Sequence, residues 1–329
     1  MFTRYSGFFS IFVPKLQHTM PLRLPKELPA IGLLKDEGIF IDPIASFGEK
    51  EDKPLRIAIL NLMPTKITTE TDLIRLLSAS PLSLDVHLMK LRSHTPKNTS
   101  PEHMRAFYRF FDEMRDEPLD GFIITGAPVE HLDFEQVNYW PELCDIFSWA
   151  RTHVGSTLYI CWAAQAGLYY HYGIPKYPLR EKMFGIFPQT PLLPKLPIFR
   201  GFDDIFFMPH SRHTEIRRED ILKVNEKLKI QNSKFIIQND ELTIIAESPM
   251  SGVSMVMARE GKEIFVTGHS EYAPQTLDTE YRRDLAKGLP IKKPYNYYRD
   301  DNPELGPLDT WRAHGSLFFQ NWINHYVLH

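Results

Sequence analysis

Cysteine is nearly absent from this chain of 329 residues: Cys144 and Cys161 are the whole supply. Two thiols exclude a disulfide framework and a cysteine-rich zinc site. The thirteen histidines include no His-Glu-x-x-His arrangement, and His210 and His213 lack cysteine or carboxylate partners at ligand spacing. No metal is expected. Basic excess is missing too: the net charge is −3, which gives no electrostatic footprint for nucleic acid or a membrane surface. No apolar run approaches the ~20 residues of a bilayer span. Repeats and low-complexity tracts are also wanting. What is present is an ordinary globular composition, 43% hydrophobic and 24% charged, long enough to bury a large core. A reducing cytoplasm suits such a chain.

Residues 1–19 stand apart. Phe8 to Val13 is apolar but too short for a span, Pro14 and Lys15 follow at once, and no small-x-small cleavage site is visible. Met20 is a plausible start. The expectation is a disordered or non-native extension over 1–19 and a single domain over 20–329.

Apolar runs predict strands at 55–62, 84–91, 121–125, 156–160, 204–208, 242–247, 253–258 and 263–266. Helical spacing predicts helices at 67–79, 101–115, 139–152, 162–170, 274–287 and 310–325. The first half alternates strand and helix with near-continuous apolar strands, the pattern of a parallel sheet covered on both faces. Shorter, closer strands in the second half point to an antiparallel extension. Between them, Pro175, Pro178, Pro188, Pro191, Pro194 and Pro197 suggest a long irregular connection.

The richest stretch is Tyr159-Ile-Cys-Trp-Ala-Ala-Gln-Ala-Gly167. An apolar strand runs straight into Cys161, and a helix-forming run of small residues follows. A side chain on such a strand-to-helix turn stands at the end of the sheet, facing the N–H groups that open the next helix. That position favours a thiolate and provides an oxyanion site. About a hundred residues on, Val266-Thr-Gly-His-Ser-Glu-Tyr272 follows another apolar strand. His269 and Glu271, two apart in an extended segment, share a face, so the carboxylate can orient the imidazole. Cysteine, histidine and glutamate in this order form a thiol acyl-transfer triad. Each alone reads more readily as packing or surface; together, each at the end of an apolar strand, they read as a site. Cys144, inside the helical spacing of Trp140, Leu143, Phe147 and Trp149, is a packing residue.

Several blocks make the chain resemble the homoserine O-acyltransferase family of methionine biosynthesis. They are Met20-Pro-Leu-Arg-Leu-Pro, Asn61-Leu-Met-Pro-Thr-Lys66, Thr125-Gly-Ala-Pro-Val-Glu130, Cys161-Trp-Ala-Ala-Gln-Ala, Pro209-His-Ser-Arg, Thr267-Gly-His-Ser-Glu-Tyr272, Pro294-Tyr-Asn-Tyr and Trp311-Arg-Ala-His-Gly. The resemblance spans nearly the whole chain. It implies an α/β, flavodoxin-like, mostly parallel sheet related to the class I glutamine amidotransferases. It also implies transfer of an acyl group from a CoA thioester to the hydroxyl of L-homoserine. Acetyl-CoA is then a co-substrate, no cofactor is required, and a homodimer is the default assembly.

By the same resemblance Arg283 and Glu280 are substrate-binding residues, with Lys182 and Ser211 at further substrate positions. Lys66 resembles an active-site lysine. Read alone, Glu280 and Arg283 are an i,i+3 surface pair, Lys182 a loop lysine and Ser211 a turn residue. Trp162 and Gly126 are expected to supply backbone oxyanion donors. Glu130 occupies the position that tracks donor choice, glutamate going with acetyl and glycine with succinyl; Ser211 also bears on substrate choice. A carboxylate there would fill the acyl pocket and repel succinate. Succinyl-CoA remains the alternative donor. Two other readings are weaker. A glutaminase elbow carries glycines two residues either side of its cysteine, where this chain has Tyr159 and Ala163. A silent binding protein would have no need of the full triad. One departure from the family is a longer stretch between Ser211 and His269, read around 228–239 as an extra hairpin or surface loop.

Overall fold

A computed structural model describes residues 22–41, 53–232 and 240–328. The proposed 1–19 extension, and 233–239 within the extra stretch, lie outside the described residues.

The strands are β1 (Leu22–Arg23), β2 (Leu55–Leu60), β3 (Leu84–Lys90), β4 (Tyr108–Phe110), β5 (Leu119–Ile124) and β6 (Val154–Ile160), then β7 (Tyr177–Pro191), β8 (Phe206–Glu215), β9 (Thr243–Ser248), β10 (Gly252–Ala258) and β11 (Glu263–Val266). The helices are α1 (Pro29–Asp36), α2 (Lys66–Leu77), α3 (Pro101–Phe107), α4 (Trp140–His153), α5 (Trp162–Tyr172), α6 (Arg218–Asn232), α7 (Thr276–Ala286) and α8 (Arg312–Trp322). They build on a single sheet in the order β1-β3-β2-β5-β6-β11-β10-β9-β7-β8, with β4 beside β3.

From β3 to β11 the pairings are all parallel. Numbered among themselves, these five strands run 2-1-3-4-5, the flavodoxin order. Their apolar runs exist because both faces are covered. Ile57 and Ile59 point into a core shared with Leu73 and Ile74 of α2 and Phe318, Phe319 and Trp322 of α8. Ala58 and Leu60 point the other way, to Leu143 and Phe147 of α4 and Ala164 and Leu168 of α5. Beyond β11 every pairing turns antiparallel, as expected of the second half.

Three expectations fail. The proline-rich connection is irregular only at its ends beyond Tyr177–Pro191; much of it, Pro178, Pro188 and Pro191 included, is instead the fifteen-residue strand β7, hairpinned with β8. Its other edge meets β9 only at Thr190 and Pro191, so missing proline N–H groups are tolerated along most of it. The helix expected over 101–115 stops at Phe107. Tyr108–Phe110 instead pairs with β3, and the Tyr108 hydroxyl bonds to buried Glu70. The extra stretch begins as α6 rather than a hairpin, held by Asn225 exchanging two hydrogen bonds with the Leu242 backbone. No helix among the described residues is long and apolar enough to cross a membrane.

Candidate active site

Cys161 joins β6 to α5 with φ 54° and ψ −115°, a left-handed turn that β-carbon-bearing residues seldom adopt. Its N–H donates to the Val266 carbonyl at 2.7 Å, tying the elbow to the end of β11. The N–H groups of Trp162 and Ala163, first in α5, have no acceptor within the helix. At the end of β5, Gly126 comes so close that a β-carbon there would lie 3.2 Å from the Cys161 Cβ.

His269 leaves β11 in a turn, not in the extended segment expected, and the turn still brings Glu271 to it. The Glu271 Oε1 lies 2.6 Å from His269 Nδ1, which leaves Nε2 for the thiol. The ring stacks on Tyr272 at 4.0 Å and is buried. Burial alone would push the His269 imidazole down, but hydrogen bonds and charge from Cys161 and Glu271 hold it well above its ordinary value. Burial pushes the Cys144 thiol up to about 11.

The turn is braced from several sides. Gly268 has no room for a side chain, because a β-carbon would meet Met208 Sδ at 2.3 Å. The His269 N–H donates to the Pro209 carbonyl at 2.8 Å. From α8, Gly315 packs against the Ser270 carbonyl, while Trp311 Nε1 donates to the Tyr272 carbonyl at 2.9 Å. Asp72 on α2 accepts the Ala273 N–H; burial raises its carboxyl to about 6, against the pull of Arg75.

Alongside lies a charged cluster built by the β7–β8 hairpin and α7. Glu280 accepts from Ser211 Oγ at 2.9 and 3.0 Å, and Lys182 Nζ lies 2.5 Å from its Oε1. Arg283 Nη2 stands 3.5 Å from the same carboxylate, with its Nε donating to Asp284 at 2.7 Å. The Arg283 side chain is 52% exposed, so it retains open donors. Arg282 faces elsewhere, onto Asp278. Glu130 is half-buried; burial raises its carboxyl, opposed by the charges of His269, His131 and Lys182.

A model of the homoserine O-succinyltransferase family matches residues 21–329. The chain belongs to that family. A homoserine O-acetyltransferase of Phocaeicola vulgatus is 63% identical over 308 residues, 94% of this chain and 96% of that one. One of Brevibacillus brevis is 53% identical over the same shares. Among solved structures, SMU.1228c aligns over 83% of this chain and 99% of its own at 14% identity and TM-score 0.52, a likeness of fold. A glutamine amidotransferase of Thermotoga maritima covers 84% and 99% at 13% identity and TM-score 0.49.

In this family member, Cys161, His269 and Glu271 meet, as do Lys182, Ser211, Glu280 and Arg283. Lys182 and Ser211 sit on paired strands rather than in a loop and a turn, and that is why they converge. Trp162 opens α5 with its ring packed on Phe134 and Tyr139, leaving the backbone at the elbow. Lys66 belongs to a separate group. It starts α2 at the end of β2, one strand removed from β6, and its ammonium bonds to the Asn61 carbonyl. Burial draws it down to about 8, with Glu70 opposing.

Sequence reasoning assigned no role to Tyr272, Asp284 or Arg212. Tyr272 follows Glu271 and Asp284 follows Arg283, so adjacency was the available signal. Arg212 is fully buried, donating to the carbonyls of Thr214 and Ser251. Burial lowers it, and Cys161 leads the charges that oppose the shift. Among the described residues no group of three metal-ligating side chains occurs.

Proposed function

We propose that the protein is a homoserine O-acetyltransferase, passing the acetyl group of acetyl-CoA to the hydroxyl of L-homoserine through a thioester on Cys161. The observation that supports this most is the contact of Cys161, His269 and Glu271 at the elbow. Close relatives that carry the acetyltransferase name point the same way.

The Cys161 sulfur attacks the acetyl carbonyl, the bond to the CoA sulfur breaks, and His269 hands that sulfur a proton. Homoserine then enters. His269 takes its hydroxyl proton as the oxygen attacks the thioester, and Cys161 departs as thiolate beside the recharged imidazole. Thioester is exchanged for thioester and then for an ester, so no ATP is consumed. Glu271 holds the ring and balances its charge. Each step passes through an oxyanion, received by the Trp162 N–H and a second donor at Gly126–Ala127.

Arg283 takes the homoserine carboxylate through its open donors, and Glu280 takes the ammonium. Lys182 and Ser211 fix Glu280 in place. Lys66 acts from the end of β2, drawn toward its neutral form by burial. Glu130, near both His269 and Lys182, closes the acyl pocket around acetyl and repels the far carboxylate of succinate. A cytoplasmic homodimer serving methionine biosynthesis completes the reading.

The test is release of free CoA from acetyl-CoA or succinyl-CoA with homoserine, using Cys161→Ser as control. Acetyl-dependent release that disappears in the variant is expected. Glu130→Gly should raise succinyl-CoA turnover relative to acetyl-CoA by about tenfold or more, the scale of one relieved like-charge contact. Faster release from succinyl-CoA in the unaltered protein would defeat the donor assignment. Glutamine hydrolysis without transfer from either donor would defeat the acyltransferase reading.

A further inference from the structure

Beside the charged cluster opens a cavity of about 1440 Å³, walled by β7 on one side and the segment 289–301 on the other. Lys182, His131, His213 and Asp284 line it, and Lys182 and His131 act, with His269, on the charge of Glu130. It exceeds the ~300–1,000 Å³ of pockets that take drug-sized ligands, and a four-carbon amino acid would leave it nearly empty.

Two observations point to what fills it. Met250, Leu289, Tyr295 and Leu308 are large apolar side chains 39–50% exposed, and all four line this cavity. Tyr295 lies in a stack on Phe187 with centroids 5.3 Å apart, giving an aromatic face open to the cavity. Concentrated exposed apolar surface of this kind marks a ligand groove. The second observation is charge at the rim. Arg180 is exposed and has no ion-pair partner among the described residues. Lys292 is paired with exposed Glu181, and Lys293 with the exposed carboxylate and the backbone carbonyl of Asp301, surface pairs weak enough to give way to a phosphate.

The wall is a built feature. Gly185, at φ +139°, lets the Tyr295 backbone bridge directly onto β7; a β-carbon there would sit 2.3 Å from the Tyr295 nitrogen.

We propose that this cavity is the seat of the CoA portion of the acyl donor, its pantetheine arm and adenine on the Met250–Leu289–Tyr295 surface and its phosphates on Arg180, Lys292 and Lys293. The proposal rests on the CoA-thioester reading above and adds the place and the residues that hold the carrier.

The test titrates desulfo-CoA, which cannot react, into the full-length protein by calorimetry. The comparison is with Arg180→Ala/Lys293→Ala and, separately, Tyr295→Ala. A loss of about tenfold in affinity is expected for each. Affinity equal to that of the unaltered protein in both variants, or no binding of desulfo-CoA at all, overturns the site. In parallel, acetyl-N-acetylcysteamine supplies the same acetyl thioester without nucleotide. The rim variant should raise KM for acetyl-CoA about tenfold more than KM for the truncated donor; equal changes overturn the rim assignment. Failure of the unaltered protein to acetylate homoserine from either donor defeats the transferase reading and leaves the titration to decide the site by itself.

Discussion

A buried glutamate opens β11 and another lies in the turn beyond its far end, and the two live in different chemistry. Glu263 opens the strand at the far end of the sheet, opposite Thr157. Arg151 Nε lies 3.0 Å from it and Arg259 Nη1 3.5 Å, while the Tyr172 hydroxyl donates to its other oxygen. Glu271 follows the strand's other end and faces one imidazole at 2.6 Å. Both carboxylates are at most about a tenth exposed, so burial does not tell them apart. Their partners do. Arginines keep their protons under all working conditions, so Glu263 belongs to a fixed charge cluster. A histidine can give its proton away, so Glu271 stands where the proposed mechanism moves protons.

The sharpest way to break this contrast is to replace each carboxylate by its amide. Glu271→Gln removes the charge that balances imidazolium and permits the wrong tautomer; kcat/KM for acetyl transfer should fall by on the order of 10³–10⁴, with little change in thermal unfolding. A drop under tenfold would place Glu271 in the same class as Glu263. Glu263→Gln should do the reverse. With Arg151 and Arg259 left short of counter-charge, stability falls by about 3 kcal/mol. Turnover per folded molecule, counted by thiol titration of Cys161, should match the unaltered protein. Urea unfolding measures the first effect, and lost turnover in folded material would contradict the division.

Lys66 sharpens the contrast from the cationic side, since no carboxylate stands within ion-pair distance of it among the described residues. With its ammonium drawn down to about 8 in the fold and titrating near 10.5 in the unfolded chain, the unfolded state holds the proton more tightly. The resulting cost is full below pH 8 and vanishes as pH rises to 10.5. Lys66→Met should therefore stabilise the fold at pH 7 by on the order of 3 kcal/mol, with no gain above about pH 10.5. A gain that survives at high pH would come from packing rather than charge.

The parallel half was legible because strands buried on two faces must be continuously apolar, and 55–60 or 156–160 can hardly be read otherwise. The triad was legible for a related reason: Cys161 and His269 each follow such a strand, and adjacent parallel strands carry their ends together. β7 was illegible because the prolines in and around it read as breaks, whereas a strand paired along most of its length on one side only has N–H groups to spare. α6 was hidden by a charged face and few apolar positions. The cluster around Glu280 could be listed by resemblance but not assembled, since Lys182 and Ser211 meet α7 only once the β7–β8 register is known. Tyr295 stood within the Pro294-Tyr-Asn-Tyr block without a role of its own, and Arg180 had none; the role proposed for them comes from a cavity between segments more than a hundred residues apart.

Position 161 holds a backbone shape that glycine adopts without strain and cysteine does not. If Cys161 is the nucleophile proposed above, a duplicate of this gene freed from that duty would find Cys161→Gly an easy step, relaxing its chain in one substitution. On that reading the demand for sulfur and the demand for a relaxed backbone oppose each other at this single residue.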